Sequence, residues 1–372
     1  MLNKNLFFLF FTIIILFLTT QSYGQFSDGF DKTEAKDMIA ICNSFGFIKA
    51  LNSDEGIVPK GYKKIYESGS IGLDNKWQLW TCDKYAVINL RGSTGTEISW
   101  LANMYSAMIP SSGEIILPNN SKFKYKLSEN SKANVHSGWT LATAFLSNDI
   151  VQHIKMLNYQ GIYHFIITGH SQGAAIAQLL RAYLENAPSN IVSKKNQFKT
   201  YAFASPMVGN TYFAEEYSNA FSTSSFIINN IADPISQTPF AIDKRKMLDP
   251  SDIEILMDSS KSIFKTLAYR AVGKIIFSNP DSAYIEKAGI NIHRQIIKKT
   301  GPLTLPNYQL DMSYTPISNP ILIGAFSESN FADKKYYKAF NLDNYQAFYQ
   351  HKPYLYYLEI LRIYFPKEFK KQ

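Results

Sequence analysis

The chain has 372 residues, of which 46% are hydrophobic, 18% charged and 15% aromatic, with a net charge of +8 at pH 7. That apolar share supports a large buried core and excludes a low-complexity or disordered chain. Lys and Arg are scattered among acidic residues, apart from short clusters at 244–246 and 367–371, so solvated surface charge with at most transient contact to a lipid surface is expected, and nucleic-acid binding is not.

At the amino end, Lys4 precedes an apolar run from Leu6 to Leu18, followed by the small residues Ser22 and Gly24. This order is that of a secretory signal peptide over residues 1–24, its apolar run shorter than the ~20 residues a membrane crossing needs. Residues 25–372 are then expected to form a single domain in a secreted, periplasmic or cell-surface protein. Asp31-x-x-Glu34 has the form of a capping box and predicts a helix near 32–48. Cys42 shares the apolar face of that helix with Ala35, Met38, Ile39 and Phe45. With Cys82 it makes an even pair, which leaves a disulfide and two packed thiols both open.

Lys76–Thr81 and Tyr85–Leu90 are β-rich runs across a short polar turn and predict a hairpin. Residues 101–135, rich in Ser, Asn and Pro, read as loop, and a helix is expected over 138–157. Strand Phe165–Thr168, a sharp turn and helix Ala174–Glu185 follow. Strand Lys199–Ala204, a helix near 211–220 and strand Phe226–Ile231 continue the alternation, which implies a mostly parallel central sheet flanked by helices. Residues about 241–320 carry helical stretches at 251–276 and 281–299 without strand order, and read as a helical insertion over the sheet's carboxyl edge. A helix from Pro353 to Phe365, stopped by Pro366, ends the chain.

The turn after Thr168 is Gly169-His170-Ser171-Gln172-Gly173, a G-x-S-x-G pentapeptide. The pattern is weak alone, but here an apolar strand enters it and a small-residue helix leaves it. Such a strand–turn–helix exposes the serine Oγ above the sheet, making Ser171 the candidate nucleophile. The glycines are needed where side chains would strike the neighbouring strand and helix. The backbone N–H of Gln172, at the helix start, is placed to meet an oxyanion. Of the six histidines, His293 and His351 follow the elbow late enough in the chain to serve as base. His293 sits among Ile292, Ile296 and Ile297, which suits packing, whereas His351 lies in a loop just before the last helix.

Several ordered segments resemble the fungal-type (class 3) triacylglycerol lipases, a family of α/β-hydrolases. Val87 to Ser93 with a downstream Trp100 is similar to its strand ending in Arg-Gly-Ser/Thr, and Val135 to Trp139 to its Val-His-x-Gly-aromatic segment. Thr168 to Gly173 is similar to its nucleophile elbow, Ala204 to Asn210 to its Gly-Ser-Pro-x-Val-Gly-Asn segment, and Asn229 to Pro234 to its acid-bearing stretch. The resemblance covers residues 75–240 well and 335–365 loosely. It implies an α/β-hydrolase fold and a serine hydrolase cleaving carboxylic esters of lipids through an acyl-enzyme. Ser171 would be the nucleophile, Asp233 the acid that orients the base, and His351 that base. Ser93 would join Gln172 in an oxyanion hole. His136 would be structural, and His170 would point into the sheet's flank.

Gln172 stands where the family has Leu, and the long spacing from Asp233 to His351 departs from its compact members. Tyr105–Ile116 is a candidate lid by position. Phospholipase A1 and feruloyl or other carboxylesterases share the same chemistry. A non-catalytic surface protein on this scaffold would be expected to have lost one of the three residues, and all are present. No cofactor, metal or protein partner is implied; the expected partner is a lipid or other ester substrate.

Overall fold

The computed structural model describes residues 29–45, 55–83, 85–239, 282–311, 313–325 and 349–370. The signal peptide expected at 1–24 and the helix expected at 251–276 lie outside them. The core is a seven-stranded sheet in the order β1-β2-β3-β8-β9-β10-β11. Its strands are β1 (Lys63–Glu67), β2 (Trp77–Thr81), β3 (Ala86–Leu90), β8 (His164–His170), β9 (Gln197–Phe203), β10 (Ser225–Asn230) and β11 (Ile321–Ile323). The first three are antiparallel neighbours, and from β3 onward every pairing is parallel.

Both faces of this sheet are covered, which is why β3 is buried at all five positions. Successive residues feed opposite cores, as the two-residue period of a strand requires. Phe165 and Ile167 of β8 point into one cluster with Leu79, Ile88 and Ala202. Ile166, between them, joins Trp80, Val87, Tyr201 and Phe203 on the other side. Helices α2 (Glu97–Met104), α3 (Ser137–Tyr159) and α4 (Gln172–Asn186) cover the first face, while α1 (Lys32–Asn43) and α7 (Pro353–Tyr364) cover the second. This is the layered arrangement of an α/β-hydrolase. Ala174, Ala175 and Ala177 are fully buried, because only small residues let α4 lie so close to both the sheet and α3.

Asp31 does cap α1, its Oδ1 accepting the N–H groups of Thr33 at 2.7 Å and Glu34 at 3.0 Å. Glu34 does not complete the box. Its carboxylate turns inward, where Lys199 Nζ lies at 2.5 Å and the Tyr201 hydroxyl at 2.7 Å. A buried charge needs such partners more than a helix end needs a second cap. Cys42 and Cys82 are free thiols. Cys42 Sγ sits 3.5 Å from Thr168 Oγ1, and burial pushes its thiol up to about 12.

The largest difference from the sequence reading lies in 101–135, expected as loop. It contains the end of α2, β4 (Met108–Pro110), β5 (Ser112–Ile116), β6 (Lys122–Lys126) and β7 (Asn134–His136), paired as β4–β7 and β5–β6. The Ser, Asn and Pro residues serve the tight turns between these short strands. Within Tyr105–Ile116, Tyr105, Met108, Ile109 and Ile115 are all fully buried.

Of the expected insertion, the described part begins with α6 (Ser282–Thr300), which follows α5 (Thr211–Ala220) in the chain. It lies against α2, with Lys299 2.9 Å from Glu97 and Ile292 and Ile296 buried. Beyond it, Thr304 and Ile116 exchange backbone hydrogen bonds at 2.9 and 3.0 Å, and the chain then enters the sheet as β11. The final helix α7 ends at Tyr364, just before Pro366 as expected, and Pro366 then opens a separate short helix, α8 (Pro366–Phe369).

Candidate active site

Ser171, at the carboxyl end of β8, has φ +59° and ψ −127°, a conformation that L-residues adopt only when the surroundings enforce it. The enforcement is visible. Its N–H donates to Phe203 O at 3.0 Å, and its carbonyl accepts from Ala174 at 2.9 Å and Ala175 at 3.2 Å. A Cβ on Gly169 would strike the Gly173 carbonyl, and one on Gly173 would strike the Leu90 carbonyl. The two glycines thus let β8, β3 and α4 converge closely enough to raise Ser171 at the sheet edge.

Asp233 follows β10 at the same edge, and its buried carboxylate caps a 3₁₀ turn at Pro234–Gln237. Oδ1 accepts the Ile235 N–H at 2.9 Å. Oδ2 meets His351 Nδ1 at 2.8 Å and accepts the Tyr356 hydroxyl at 2.7 Å. A carboxylate only accepts, so His351 Nδ1 carries the proton and Nε2 presents its lone pair. That nitrogen lies 2.8 Å from Ser171 Oγ. The loop bearing His351 is held from the sheet by Asn230 of β10. Its side-chain amide donates to Gln350 Oε1 at 2.8 Å, and its own N–H is taken by the Tyr356 hydroxyl at 3.0 Å.

His170 lies behind the site, beside the base and the last helix. Its buried ring lies 4.7 Å from the His351 ring and 5.5 Å from that of Tyr356, and its Nε2 has no hydrogen-bond partner among the described residues. Burial first, and the charge of His351 second, push its pKa well below the usual imidazole value, so it backs the site as a neutral ring. His293, the alternative candidate, is elsewhere. Its Nδ1 meets the Tyr105 hydroxyl at 3.0 Å on α6.

Ser93 sits just beyond β3, on a strand end pressed against the elbow. A Cβ on the preceding Gly92 would lie 2.9 Å from His170 O and 3.6 Å from Ser171 Cβ. Asp74 clamps this loop by accepting from the hydroxyls of Thr94 at 2.6 Å and Thr96 at 2.8 Å and from Arg91 at 3.0 Å. Burial raises its pKa, but the hydroxyls of Ser70, Thr94 and Thr96 and the Arg91 charge outweigh it and hold the carboxyl at about 2. Gln172 is the first residue of α4, so its N–H has no acceptor within the helix and faces the same edge.

Two groups here escaped the sequence reading. Asn103, on α2, donates through Nδ2 to Ser93 Oγ at 2.8 Å and accepts at Oδ1 from Trp139 Nε1 at 3.0 Å and Gln172 Nε2 at 2.9 Å. Its backbone carbonyl accepts from His136 Nε2 at 3.1 Å. His136 stacks on Trp139 at 3.6 Å, and burial lowers its pKa to about 3. Tyr356 lies on the last helix, where no motif singles it out. Only the i+5 spacing from His351, one helical turn beyond Pro353, hinted that it could return to the site.

Among the described residues, no group of three or more His, Cys, Asp or Glu could hold a metal ion. None of the described helices is long and apolar enough to cross a membrane. The chain is similar in fold to lipase II from Rhizopus niveus, with 20% identity, 56% of this chain and 74% of that chain covered, and a TM-score of 0.42. It is similar likewise to the triacylglyceride lipase of Rhizomucor miehei, with 18% identity, 57% and 77% covered, and a TM-score of 0.40. No curated protein matches it. The model of the family described as lipase (class 3) matches residues 87–242, a span that holds the elbow, Ser93 and Asp233. Over that span the chain is similar to the class 3 lipase family.

Proposed function

We propose that this protein is a secreted enzyme that hydrolyses carboxylic esters of lipids through an acyl-enzyme on Ser171. The observation that carries the reading is the unbroken line Ser171 Oγ, His351 Nε2, His351 Nδ1, Asp233 Oδ2, with 2.8 Å at both hydrogen bonds. A serine hydroxyl is a poor nucleophile until a base takes its proton. Here the base has its lone pair on that hydroxyl and its other nitrogen fixed by a buried carboxylate.

As Ser171 Oγ attacks the ester carbonyl carbon, its proton passes to His351 Nε2, and the imidazolium is stabilised by Asp233. The carbonyl oxygen becomes an oxyanion, received by the backbone N–H groups of Ser93 and Gln172 and by the Ser93 hydroxyl. Collapse breaks the ester C–O bond, and His351 returns the proton to the leaving alkoxide. Water then attacks the acyl-enzyme by the same path, losing its proton to His351 and releasing the carboxylic acid while Ser171 regains its hydrogen. Export is supported by the order of residues at 1–24, and lipid substrates by the similarity of residues 87–242 to the class 3 lipase family.

Purified protein should be labelled once by a fluorophosphonate and should release fatty acid from emulsified triacylglycerol. Ser171→Ala should lose both. Equal labelling of the two proteins would overturn the assignment of Ser171, and labelling without release of acid from any lipid ester would overturn the substrate class.

A further inference from the structure

Helix α6 has two unlike faces. Its inner strip is Gly289, Ile292 and Ile296, spaced as one helical face requires. Ile292 and Ile296 are buried, and a Cβ on Gly289 would stand 2.8 Å from Ala107 Cβ and 3.6 Å from the Tyr105 ring, so this strip lies close against the neighbouring chain. On the opposite face, Lys287, Ile290, Arg294 and Lys298 fall within about 80° of one another and form a straight stripe ~17 Å long. Glu286 lies on its border.

The three basic residues of the stripe are exposed, and none has a carboxylate within ion-pair distance among the described residues. Arg294 reaches only Asn291 Oδ1, at 3.3 Å. Nearby cations are compensated: Lys122 faces Glu114 at 3.1 Å, Lys126 faces Glu129 at 2.5 Å, and Lys299, on the flank of α6, faces Glu97 at 2.9 Å. The helix dipole accounts for Lys298 in the last turn, but its effect does not extend to Arg294 or Lys287. Nor does it account for Ile290, which stands between them 39% exposed. The stripe ends beside the catalytic edge. Glu97, the partner of Lys299, opens α2 four residues after Ser93, at most ~14 Å of chain away. Ser99 of the same helix accepts the Thr94 N–H at 3.1 Å and so ties α2 to the loop of Ser93.

We propose that the face of α6 bearing Lys287, Ile290, Arg294 and Lys298 docks on a lipid surface with anionic head groups. The proposal rests on the reading of the protein as a hydrolase of lipid esters and names the surface on which it meets them. A straight row of uncompensated cations matches a flat layer of phosphate groups, and Ile290 enters the head-group region between them. The net charge of +8 draws the whole molecule to the same surface.

The test is co-sedimentation with vesicles of phosphatidylcholine, alone or mixed with phosphatidylglycerol. At about 0.1 M salt the wild type should partition on the mixed vesicles at least ~10-fold more strongly, and the preference should fade by about 0.5 M. The triple variant Lys287→Gln, Arg294→Gln, Lys298→Gln should bind them about fivefold more weakly per charge removed, on the order of 100-fold in all. Its kcat/KM on a dissolved p-nitrophenyl ester should stay within about twofold, which also reports that it has folded. Lys60→Gln, Lys63→Gln, Lys195→Gln removes as many charges at the amino ends of β1 and β9, the opposite edge of the sheet, and should change binding by less than about threefold. Ile290→Gln keeps every charge and should weaken binding by roughly threefold or more. Undiminished binding in the α6 variant, equal losses in the two triple variants, or a wild type indifferent to phosphatidylglycerol would each overturn the proposal. Binding to heparin as tight as to the mixed vesicles, with Ile290→Gln unimpaired, would assign the stripe to a soluble polyanion and overturn the lipid surface. Ser171→Ala should bind vesicles like the wild type. Stripe-dependent vesicle binding by a wild type that releases no fatty acid would overturn the proposed function and leave the docking face standing.

Discussion

Tyr356 donates its hydroxyl to Asp233 Oδ2 at 2.7 Å, on the same oxygen that faces the His351 imidazole at 2.8 Å. The carboxylate oxygen that fixes the base is thus shared with a buried phenol. The phenol in turn accepts the Asn230 N–H at 3.0 Å, which joins helix α7 to the end of β10.

Tyr356→Phe removes that donor. The Asp233 oxygen that fixes the base then loses one of its two side-chain partners, and kcat should fall roughly two- to tenfold, as expected for one neutral hydrogen bond. The buried Asn230 N–H is also left without its acceptor, which should cost about 1–3 kcal/mol in urea unfolding. Wild-type kcat would show that the phenol only packs.

The two late histidines separate cleanly. His351→Ala should lower kcat by roughly 10⁴-fold or more, since the nucleophile loses its base. His293→Ala removes a hydrogen bond to Tyr105 and none to Ser171 or Asp233, so activity should stay within a few-fold and stability fall by only about 1 kcal/mol. The reverse pattern of turnover would transfer the base to α6.

Gly173→Ala tests the packing of the elbow. Its new methyl would meet the Leu90 carbonyl and the Arg91 backbone, and neither is the free end of a flexible side chain. Stability should drop by about 3 kcal/mol or more, or soluble protein should be lost, as thermal melting and expression yield would show. A variant melting within a degree or two of the wild type would mean that β3 and α4 are less tightly joined than the geometry requires.

His136 gives a pH signature to stability. Burial lowers its folded pKa from 6.5 to about 3, so the unfolded chain binds the proton first as pH falls. Its contribution is complete above about 6.5 and is lost progressively between 6.5 and about 3, with a slope approaching ~1.4 kcal/mol per pH unit. His170, also lowered by burial, adds to the slope in the same direction. His136→Gln should reduce the slope by about one proton in urea titrations repeated across this window. An unchanged slope would place the acid sensitivity elsewhere.

Five of the seven sheet strands and the elbow were legible in the chain itself because their signals are local, whereas the edge strand β1 and the three-residue β11 were not. An apolar strand, a G-x-S-x-G turn and a helix of small residues follow one another without interruption from Phe165 to Glu185, and the hairpin at 76–90 has its turn beside its strands. The short strands of 101–135 were not legible. Three- and five-residue segments such as β4 and β5 carry too few positions to show a period, and their stability comes from partners far along the chain, as with Ile116 and Thr304. Chain order narrowed the base to two histidines, but the contact of His351 with Ser171, 180 positions away, exists only because β10 and α7 meet over the sheet edge. Asn103, His170 and Tyr356 follow the same rule. Each looks like an ordinary helix or strand residue until folding sets it beside Ser93, His351 or Asp233, because hydrogen-bond geometry is fixed by tertiary packing and leaves no period or motif in the sequence.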